Sequence, residues 1–302
     1  MKETLSFQGQ DVIQITRGDA SIRVAPQHGG ILLDWSRRGK QIVHWPAAAD
    51  WSRPTKIRGG NPVLFPFIAR HYVDGVLGRW KDEAGIVRDL PMHGFAREMA
   101  YAVVETGDPF ELRMRITETE KTLAFYPFPF RFELAYRLGE ETLEAEFLTT
   151  NTGTTPLPYY AGHHFYFNVP HTDRGQWELE LPFAKAGRRD EAGNPDLNTV
   201  PETTTLADPE LVDRFQVGPL RTTFATTNRT TGERITFDLN PPANAIPWYA
   251  VTTWSETPES DFFCIEPWLG LPNAIHNGQG LRHVAPGASE KAVCLLRHSS
   301  GK

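Results

Sequence analysis

The chain has 302 residues, of which 40% are hydrophobic and 23% are charged, as in an ordinary globular protein. Its formal net charge of −6 argues against a nucleic-acid partner, which would require a basic face to neutralise phosphates. The N-terminus has no apolar signal segment, and no apolar run reaches the ~18 residues of a membrane span. We therefore expect a cytoplasmic protein with no membrane partner, present as a monomer or a homodimer.

The two cysteines, Cys264 and Cys294, both lie within apolar runs. Buried free thiols in a reducing compartment are the favoured interpretation. A disulfide between two adjacent strands is the alternative.

Turn-forming residues divide the chain into short segments. It contains 25 glycines and 24 prolines, and the longest window without either is the 17 residues Phe110–Tyr126. Both residue types break helices, which excludes a helical bundle and favours many short strands. Length alone suggests two domains, but all-β sandwiches often exceed about 200 residues as one unit. We therefore predict a single domain over residues 1–302.

Period-two alternation is clearest in the middle of the chain. Hydrophobic residues alternate with charged or small ones over residues 111–116, 132–138 and 143–147, and a Gly-containing turn at 139–141 joins the last two segments. This pattern is typical of an antiparallel meander with one face exposed to water. Further strands are predicted at Ser21–Ala25, Tyr101–Glu105, Arg234–Leu239, Phe262–Glu266 and Lys291–Arg297.

The segment Ala186–Pro209 is rich in turn formers and poor in hydrophobic residues. Because strands of the same style follow it, we interpret it as a long surface loop beside a binding cleft. No repeat of about 20–50 residues is present, which disfavours propellers and solenoids. The predicted fold is one large antiparallel β-sandwich.

Four segments combine glycine or proline with histidine, arginine, glutamate and aromatic residues. They are Arg58–Arg70 (RGGNPVLFPFIAR), Pro91–Arg97 (PMHGFAR), Ala161–Asn168 (AGHHFYFN) and Cys264–Ala274 (CIEPWLGLPNA). Histidine and glutamate are suited to general acid–base catalysis, aromatic rings to stacking on a sugar, and arginine and asparagine to binding its hydroxyls. The aromatic candidates are Phe165, Tyr166, Phe167 and Trp268, and the donor candidates are Arg58, Arg70, Arg97, Asn61 and Asn273.

These residues also have structural explanations. A histidine beside aromatic residues is more often a core or surface residue than a catalytic one. Glu266 ends a predicted buried strand, where a carboxyl group needs either a partner or a raised pKa. A metal site of His93, His163 and His164 is disfavoured because adjacent residues on a strand point to opposite faces. We therefore expect no metal and no cofactor, and the sequence has no phosphate-binding glycine loop or nucleophile elbow.

Taken in chain order, the motifs resemble the aldose 1-epimerase family, whose members share the galactose mutarotase-like β-sandwich. The resemblance covers most of the chain, from Gly29-Gly30 through RGGNPVLFPFIAR, LPMHGFAR, YPFPFRFELAYRL, GHHFYFN and CIEPWLGLPNAI to LRHVAPGASE. The order HGFAR, then an H-x-Y-F core, then E-P-W makes the resemblance specific.

The resemblance implies a role for each candidate residue. Glu266 matches the catalytic glutamate of the family, and His93 and His164 match its two histidines. Arg70 lies where relatives place a substrate-binding arginine, and Asp213 matches an acidic residue that binds sugar hydroxyls. The remaining candidates for substrate binding are Asn61, Arg97, Tyr166 and Trp268.

The implied function is an isomerase that interconverts the α and β anomers of a hexose. Glu266 would take the proton of the C1 hydroxyl, His164 would protonate the ring oxygen, and His93 would stabilise the developing charge. Rotation about C1–C2 and ring closure then give the other anomer. The small-molecule sugar is the only partner that this activity requires.

Two alternatives stay open. Arg58, Arg70 and Arg97 could hold the phosphate of a hexose 6-phosphate, as in epimerases of the same family that act on such sugars. The fold could instead serve as a sugar-binding or sugar-sensing module without catalysis. A polysaccharide lyase or glycoside hydrolase is disfavoured because Glu266 has no carboxylate partner evident in the sequence.

Overall fold

The computed structural model describes residues 1–239 and 242–301. In chain order its first strands are β1 (Lys2–Phe7), β2 (Gln10–Arg17), β3 (Ala20–Ala25), β4 (Ile31–Arg37), β5 (Lys40–Val43), β6 (Val63–Leu64), β7 (Tyr72–Val73), β8 (Val76–Leu77), β9 (Arg79–Lys81), β10 (Val87–Asp89), β11 (Ala102–Val104), β12 (Glu111–Thr117), β13 (Phe130–Leu138) and β14 (Thr142–Asn151). The later strands are β15 (Leu157–Tyr159), β16 (Gly162–His163), β17 (Phe165–Asn168), β18 (Trp177–Leu179), β19 (Phe183–Arg189), β20 (Pro195–Thr199), β21 (Thr204–Thr205), β22 (Arg214–Pro219), β23 (Thr223–Asn228), β24 (Arg234–Asp238), β25 (Ala250–Trp254), β26 (Phe262–Trp268), β27 (Arg282–Val284) and β28 (Ser289–Ser299).

Helical structure is confined to short pieces between the strands. The α-helices are α1 (Glu120–Phe125) and α2 (Ala274–Asn277), and the 3₁₀ helices are Pro54–Lys56, Ala96–Glu98, His171–Gln176 and Pro209–Leu211. In the described part of the chain, none of the helices has the length and hydrophobicity needed to cross a membrane.

Two large sheets form the body of the molecule. One has the order β1-β2-β3-β4-β5-β17-β26-β25-β22-β19-β20, with β16 attached to β26 and β6 attached to β16. The other has the order β11-β12-β13-β14-β28-β24-β23-β18-β21. The strand pairs in both sheets are antiparallel. The predicted all-β, antiparallel architecture is confirmed.

A single large hydrophobic core joins the two sheets. Phe167 from the first sheet contacts Phe237 from the second, with ring centroids 5.3 Å apart. Phe65, which follows β6, stacks on Phe132 of the second sheet at 4.3 Å. These rings belong to the same continuous cluster of buried residues. Burial of such rings is a large source of stabilisation, because each removes about 150–250 Å² from water.

The predicted meander is confirmed as β12, β13 and β14, with residues 139–141 as the turn between the last two. The other predicted strands correspond to β3, β11, β24, β26 and β28.

Both cysteines are buried free thiols, which confirms the favoured interpretation of the sequence. That residues 1–302 form one domain stays a prediction.

The interpretation of Ala186–Pro209 as a loop is wrong. The segment contains the end of β19, all of β20 and β21, and the start of a 3₁₀ helix. β20 is the edge strand of the first sheet, and most of its side chains are exposed. An edge strand facing water can be polar and contain turn formers, so its composition resembles that of a loop.

The middle of the first sheet presents two different faces. Along β26, Phe263 and Ile265 point into the core between the sheets, whereas Cys264 and Glu266 point away from it. Trp268 contacts the edge of the core and also lines the pocket on the outer face. Neighbouring β17 pairs with β26, so that Tyr166 lies opposite Cys264 on the same outer face. The alternation of a strand therefore directs the candidate catalytic glutamate away from the core.

Close approach of β16 to β26 fixes the position of Trp268. Gly162 pairs with Trp268, and a Cβ atom at Gly162 would lie 2.4 Å from Trp268 Cδ1 and 2.9 Å from Ile68 Cγ2. Only glycine at position 162 leaves room for the indole of Trp268 beside β16.

We predict that Gly162→Ala lowers the free energy of unfolding by about 1–3 kcal/mol, because the methyl group overpacks the contact with Trp268. Gly175→Ala is the matched control, since a Cβ there meets no atom within 4 Å, and it should change stability by less than about 0.5 kcal/mol. Urea unfolding measures both. Equal effects in the two variants would contradict this explanation for Gly162.

Candidate active site

A pocket opens on the outer face of the first sheet, over the centre of β26. Its walls combine histidine, carboxylate, cationic and aromatic side chains from distant parts of the chain. Eight of the nine predicted site residues line it: Arg70, His93, Arg97, His164, Tyr166, Asp213, Glu266 and Trp268.

Glu266 and His164 form the centre of the pocket. Glu266 Oε2 lies 3.5 Å from His164 Nε2, and the two side chains are 1% and 12% exposed. Glu266 Oε2 has no hydrogen-bond partner among the described residues, and neither does His164 Nδ1. The two groups are thus adjacent and available for proton transfer to a third molecule.

Burial moves the pKa values of this pair in opposite directions. Desolvation raises the pKa of Glu266 well above its ordinary value, and the negative charge of Asp213 adds to the effect. Desolvation lowers the pKa of His164 to about 3, assisted by the positive charge of Arg97. The environment therefore favours the uncharged form of both groups.

His93 approaches His164 edge-on, with ring centroids 5.7 Å apart. Its Nδ1 accepts a hydrogen bond of 3.1 Å from the backbone N–H of Ala69. Burial, followed by the charge of Arg97, lowers the pKa of His93 well below its ordinary value, so the ring is neutral. A neutral ring that accepts at Nδ1 carries its proton on Nε2, which makes His93 a hydrogen-bond donor.

Asn61 is the predicted substrate-binding residue that does not line the pocket. It is fully buried, and its Oδ1 accepts a hydrogen bond of 2.8 Å from the backbone N–H of His164. Its amide donates to Tyr136 Oη and contacts His163 Nδ1 at 3.0 Å. The structure therefore gives Asn61 a supporting position under His164, where substrate cannot reach it.

The two adjacent histidines point to opposite faces, as expected for a strand. His163 is fully buried in the core, where its ring stacks on Phe147 at a centroid distance of 4.1 Å. His164 stacks instead on Tyr166 at 4.8 Å on the pocket side. A cluster of His93, His163 and His164 around one metal ion is therefore not formed.

Of the aromatic candidates, only Tyr166 and Trp268 line the pocket. Phe165 and Phe167 alternate with Tyr166 along β17 and are buried in the core. Asn273 also lies outside the pocket lining: its Oδ1 accepts from the backbone of Tyr72 and its amide donates to Asn194. The notion that these three side chains bind sugar is not supported by their positions.

Asp213 lies at the rim, in the turn before β22. Its Oδ2 accepts a hydrogen bond of 3.0 Å from Arg189, which also lines the pocket. Asp213 has a left-handed backbone, with φ of 55°, as do pocket residues Ala69 (58°) and His93 (68°). Such conformations cost about 1–3 kcal/mol each for residues other than glycine and are concentrated at functional sites.

Cationic side chains surround the reactive pair. Lys56, Arg58, Arg70 and Arg97 line the pocket together with Arg189. Arg58 pairs with Glu256 at 2.8 Å and lies over the ring of Trp254. Within the described residues, neither Lys56 nor Arg70 has an ion pair. The pocket therefore has positive charge available for a ligand.

Sequence reasoning missed several lining residues. Arg189 lies in the segment interpreted as a loop, and Lys56 lies in a short 3₁₀ helix with no recognisable pattern. Trp254 ends β25, which pairs with β26. Trp254 could have been found from the sequence, because it lies in an apolar strand just before the E-P-W strand. No local sequence pattern marks Arg189 or Lys56 as pocket residues.

One group of side chains has the composition of a metal site. His164, Cys264 and Glu266 each offer a ligand atom, and these atoms lie within 4.8 Å of one another. Anomer exchange by acid and base needs no metal, and the expectation of no metal cofactor stays a prediction.

The fold and the pocket together define a β-sandwich protein of the galactose mutarotase-like class. Residues 11–288 match the family model for aldose 1-epimerase, and the chain belongs to that family. A solved galactose mutarotase-like protein from Clostridium acetobutylicum superposes with a TM-score of 0.83 at 17% identity, covering 99% of this chain and 98% of that one.

Two curated relatives are similar in sequence. LacX of Lactococcus lactis is 24% identical over 243 residues, which cover 74% of this chain and 78% of LacX. An Escherichia coli protein provisionally named glucose-6-phosphate 1-epimerase is 30% identical over 150 residues, which cover 47% of this chain and 43% of that protein. This second match thus spans less than half of either protein.

The pKa of His164 gives a testable pH dependence. An unfolded chain protonates this imidazole below its ordinary pKa of 6.5, whereas the folded protein does so only near pH 3. Its contribution to stability is therefore complete above pH 6.5 and is lost as the pH falls toward 3. His164→Asn should lose less stability than the wild type between pH 7 and pH 4.

Nuclear magnetic resonance of ¹⁵N-labelled histidine should show the His164 ring neutral from pH 8 to pH 5, with its signal assigned by its absence in His164→Asn. Protonation near pH 6.5 would show that the pocket does not desolvate the ring as described.

Proposed function

We propose that the protein interconverts the α and β anomers of a hexose by acid–base ring opening. The adjacent placement of Glu266 and His164 in the pocket is the observation that supports this most directly. The C1 hydroxyl oxygen and the ring oxygen of a hexose are bonded to the same carbon. A base and an acid 3.5 Å apart can therefore each reach one of them.

The proton transfers balance within this pair. Glu266 takes the proton from the C1 hydroxyl, the bond from C1 to the ring oxygen breaks, and the ring oxygen receives a proton from His164. Transfer of one proton from Glu266 to His164 converts the uncharged resting pair to the carboxylate and imidazolium that begin the reaction. Ring opening then returns the pair to carboxylic acid and neutral imidazole, and ring closure on the other carbonyl face reverses both steps. Burial favours the uncharged pair, which supports the state that accompanies the open-chain aldehyde.

Five other residues have roles in this scheme. His93 donates from Nε2 to the oxygen on which charge develops. Arg70 and Asp213, which both line the pocket, bind sugar hydroxyls. Tyr166 and Trp268 provide apolar ring faces beside the reactive pair. Cytoplasmic location and a monomeric or homodimeric state stay predictions.

We predict that Glu266→Gln lowers the catalysed rate of anomer exchange by ~10²–10⁴-fold, because it removes the base and keeps the side-chain shape. Polarimetry on freshly dissolved α-glucose and α-galactose measures the rate above the uncatalysed background. Calorimetry measures sugar binding, which should persist in the variant. Glu259→Gln, on the exposed loop before β26, is the matched control and should match the wild type.

Either of two results would overturn this proposal. An unchanged rate in Glu266→Gln would remove Glu266 from the mechanism. A wild-type protein that binds sugar but accelerates no anomer exchange would support the sugar-sensing alternative instead.

A hexose 6-phosphate is the second candidate substrate. The cationic lining of Lys56, Arg58, Arg70 and Arg97 favours it, because charge-assisted hydrogen bonds to phosphate are strong. The name of the partly matching Escherichia coli relative points the same way. Lys56 ends the 3₁₀ helix Pro54–Lys56, and Arg58 follows it by two residues. Arg58 lies over the ring of Trp254, whose centroid is 5.7 Å from that of His164.

We predict that Arg58→Met lowers kcat/KM for glucose 6-phosphate by about 10–100-fold more than for glucose, since one charge-assisted hydrogen bond is worth about 1.5–3 kcal/mol. An anomer-specific coupled assay measures the phosphorylated sugar and polarimetry the free one. Arg53→Met, exposed and outside the pocket, is the control. Equal losses on the two sugars would assign Arg58 to general pocket structure and not to phosphate.

A further inference from the structure

Cys264 lies directly beneath the reactive pair. It shares the outer face of β26 with Glu266 and is fully buried under Tyr166, Phe262 and Trp254. One ligand atom from each of His164, Cys264 and Glu266 lies within 4.8 Å of the other two. The catalytic scheme gives the thiol no role.

The donor set suits a borderline-soft divalent cation. Zinc binds thiolate sulfur at about 2.3 Å, imidazole nitrogen at about 2.0–2.1 Å and carboxylate oxygen at about 2.0–2.2 Å, with tetrahedral geometry. These bond lengths place ligand atoms about 3.4–3.6 Å apart. The separation of 3.5 Å between His164 Nε2 and Glu266 Oε2 already matches. The remaining separations are at most 4.8 Å. They need to shorten by at most about 1.4 Å, which side-chain rotation can supply.

Unpartnered polar atoms provide a second, independent indication. Glu266 is 1% exposed, and its Oε2 has no hydrogen-bond partner among the described residues. A buried carboxyl group without a partner carries a desolvation cost that a bound cation relieves. Both His164 and Glu266 line the pocket, so an ion can enter from solvent and keep one coordination position open.

We propose that His164, Cys264 and Glu266 form an inhibitory binding site for Zn²⁺ and similar thiophilic divalent cations. On binding, the thiol of Cys264 and the carboxyl group of Glu266 release their protons to solvent, and the sulfur, the imidazole nitrogen and the carboxylate oxygen coordinate the ion. The ion then occupies the lone pairs that proton transfer requires, and it competes with the sugar. The inhibition rests on the proposed epimerase function, whereas the binding does not.

The site should discriminate between cations. Mg²⁺ and Ca²⁺ prefer six or more oxygen ligands, of which this group offers at most the two of Glu266. Zn²⁺, Co²⁺ and Cd²⁺ accept sulfur and nitrogen. We therefore expect Zn²⁺ to inhibit at concentrations where Mg²⁺ has no effect.

Co²⁺ titration monitored by absorption tests the binding directly. We expect one equivalent to produce a cobalt–thiolate charge-transfer band in the wild type and in Cys294→Ser, whose thiol lies in the other sheet. Cys264→Ser should lose the band, and its affinity for Co²⁺ should fall at least about 10-fold. A band that persists in Cys264→Ser, or binding with no band in the wild type, would overturn the proposal.

A second measurement uses only the wild-type protein, so it tests the site even where Cys264→Ser fails to fold. Sugar added to the wild-type cobalt complex should abolish the band, because ion and sugar use the same side chains; a band unaffected by saturating sugar would place the ion elsewhere. In activity assays Zn²⁺ should inhibit wild type and Cys294→Ser alike. A wild-type protein that shows the Cys264-dependent band but no epimerase activity would contradict the proposed function and leave the metal site supported.

Discussion

The arrangement of the pocket depends on one costly feature, a carboxyl group buried at the centre of a sheet without a cationic partner. Glu266 lies on β26, every residue of which is buried, and its side chain faces away from the core. Removing a charged carboxylate from water costs several kcal/mol in an unrelieved environment, so the group resists ionisation. The neighbouring imidazole of His164 is the nearest basic group. That imidazole is itself desolvated, so neither partner is held permanently charged and a single proton can pass between them through a substrate.

The motif RGGNPVLFPFIAR supports two pocket histidines, His93 and His164. Asn61, near its beginning, accepts a hydrogen bond from the backbone of His164. Ala69, near its end, donates to His93 Nδ1 and so fixes the tautomer of that ring. Between them, the carbonyl of Phe65 accepts from the backbone N–H of Phe95 at 3.0 Å, two residues after His93. One irregular segment thus positions two histidines that are about 70 residues apart in sequence, while its own Arg58 and Arg70 line the pocket.

Local alternation and turn composition were sufficient to predict the antiparallel sheets, because an exposed face and a buried face leave a period-two pattern in β12–β14. The same reasoning failed at β20, where an edge strand has no buried face to reveal it. In the site, motifs identified the histidines and Glu266. Which side chains reach the pocket depends on strand phase and on non-local hydrogen bonds. Phe165 and Tyr166 are adjacent aromatic residues that the sequence does not distinguish. The pairing of β17 with β26 directs the Phe165 ring into the core and the Tyr166 ring into the pocket.

A reversible proton exchange places opposing demands on the pocket. Its acid and base must each keep a lone pair or proton free of protein partners, because a permanent hydrogen bond would have to break before every transfer. The unpartnered atoms of His164 and Glu266 meet this demand. Both side chains also line the pocket, where a ligand can reach them, and Cys264 adds a thiol within 4.8 Å of their ligand atoms. In the proposed scheme, affinity for divalent cations follows from the requirement for catalysis, because lone pairs that a sugar can reach are also accessible to a small cation. The thiol of Cys264 then gives the preference for thiophilic ions.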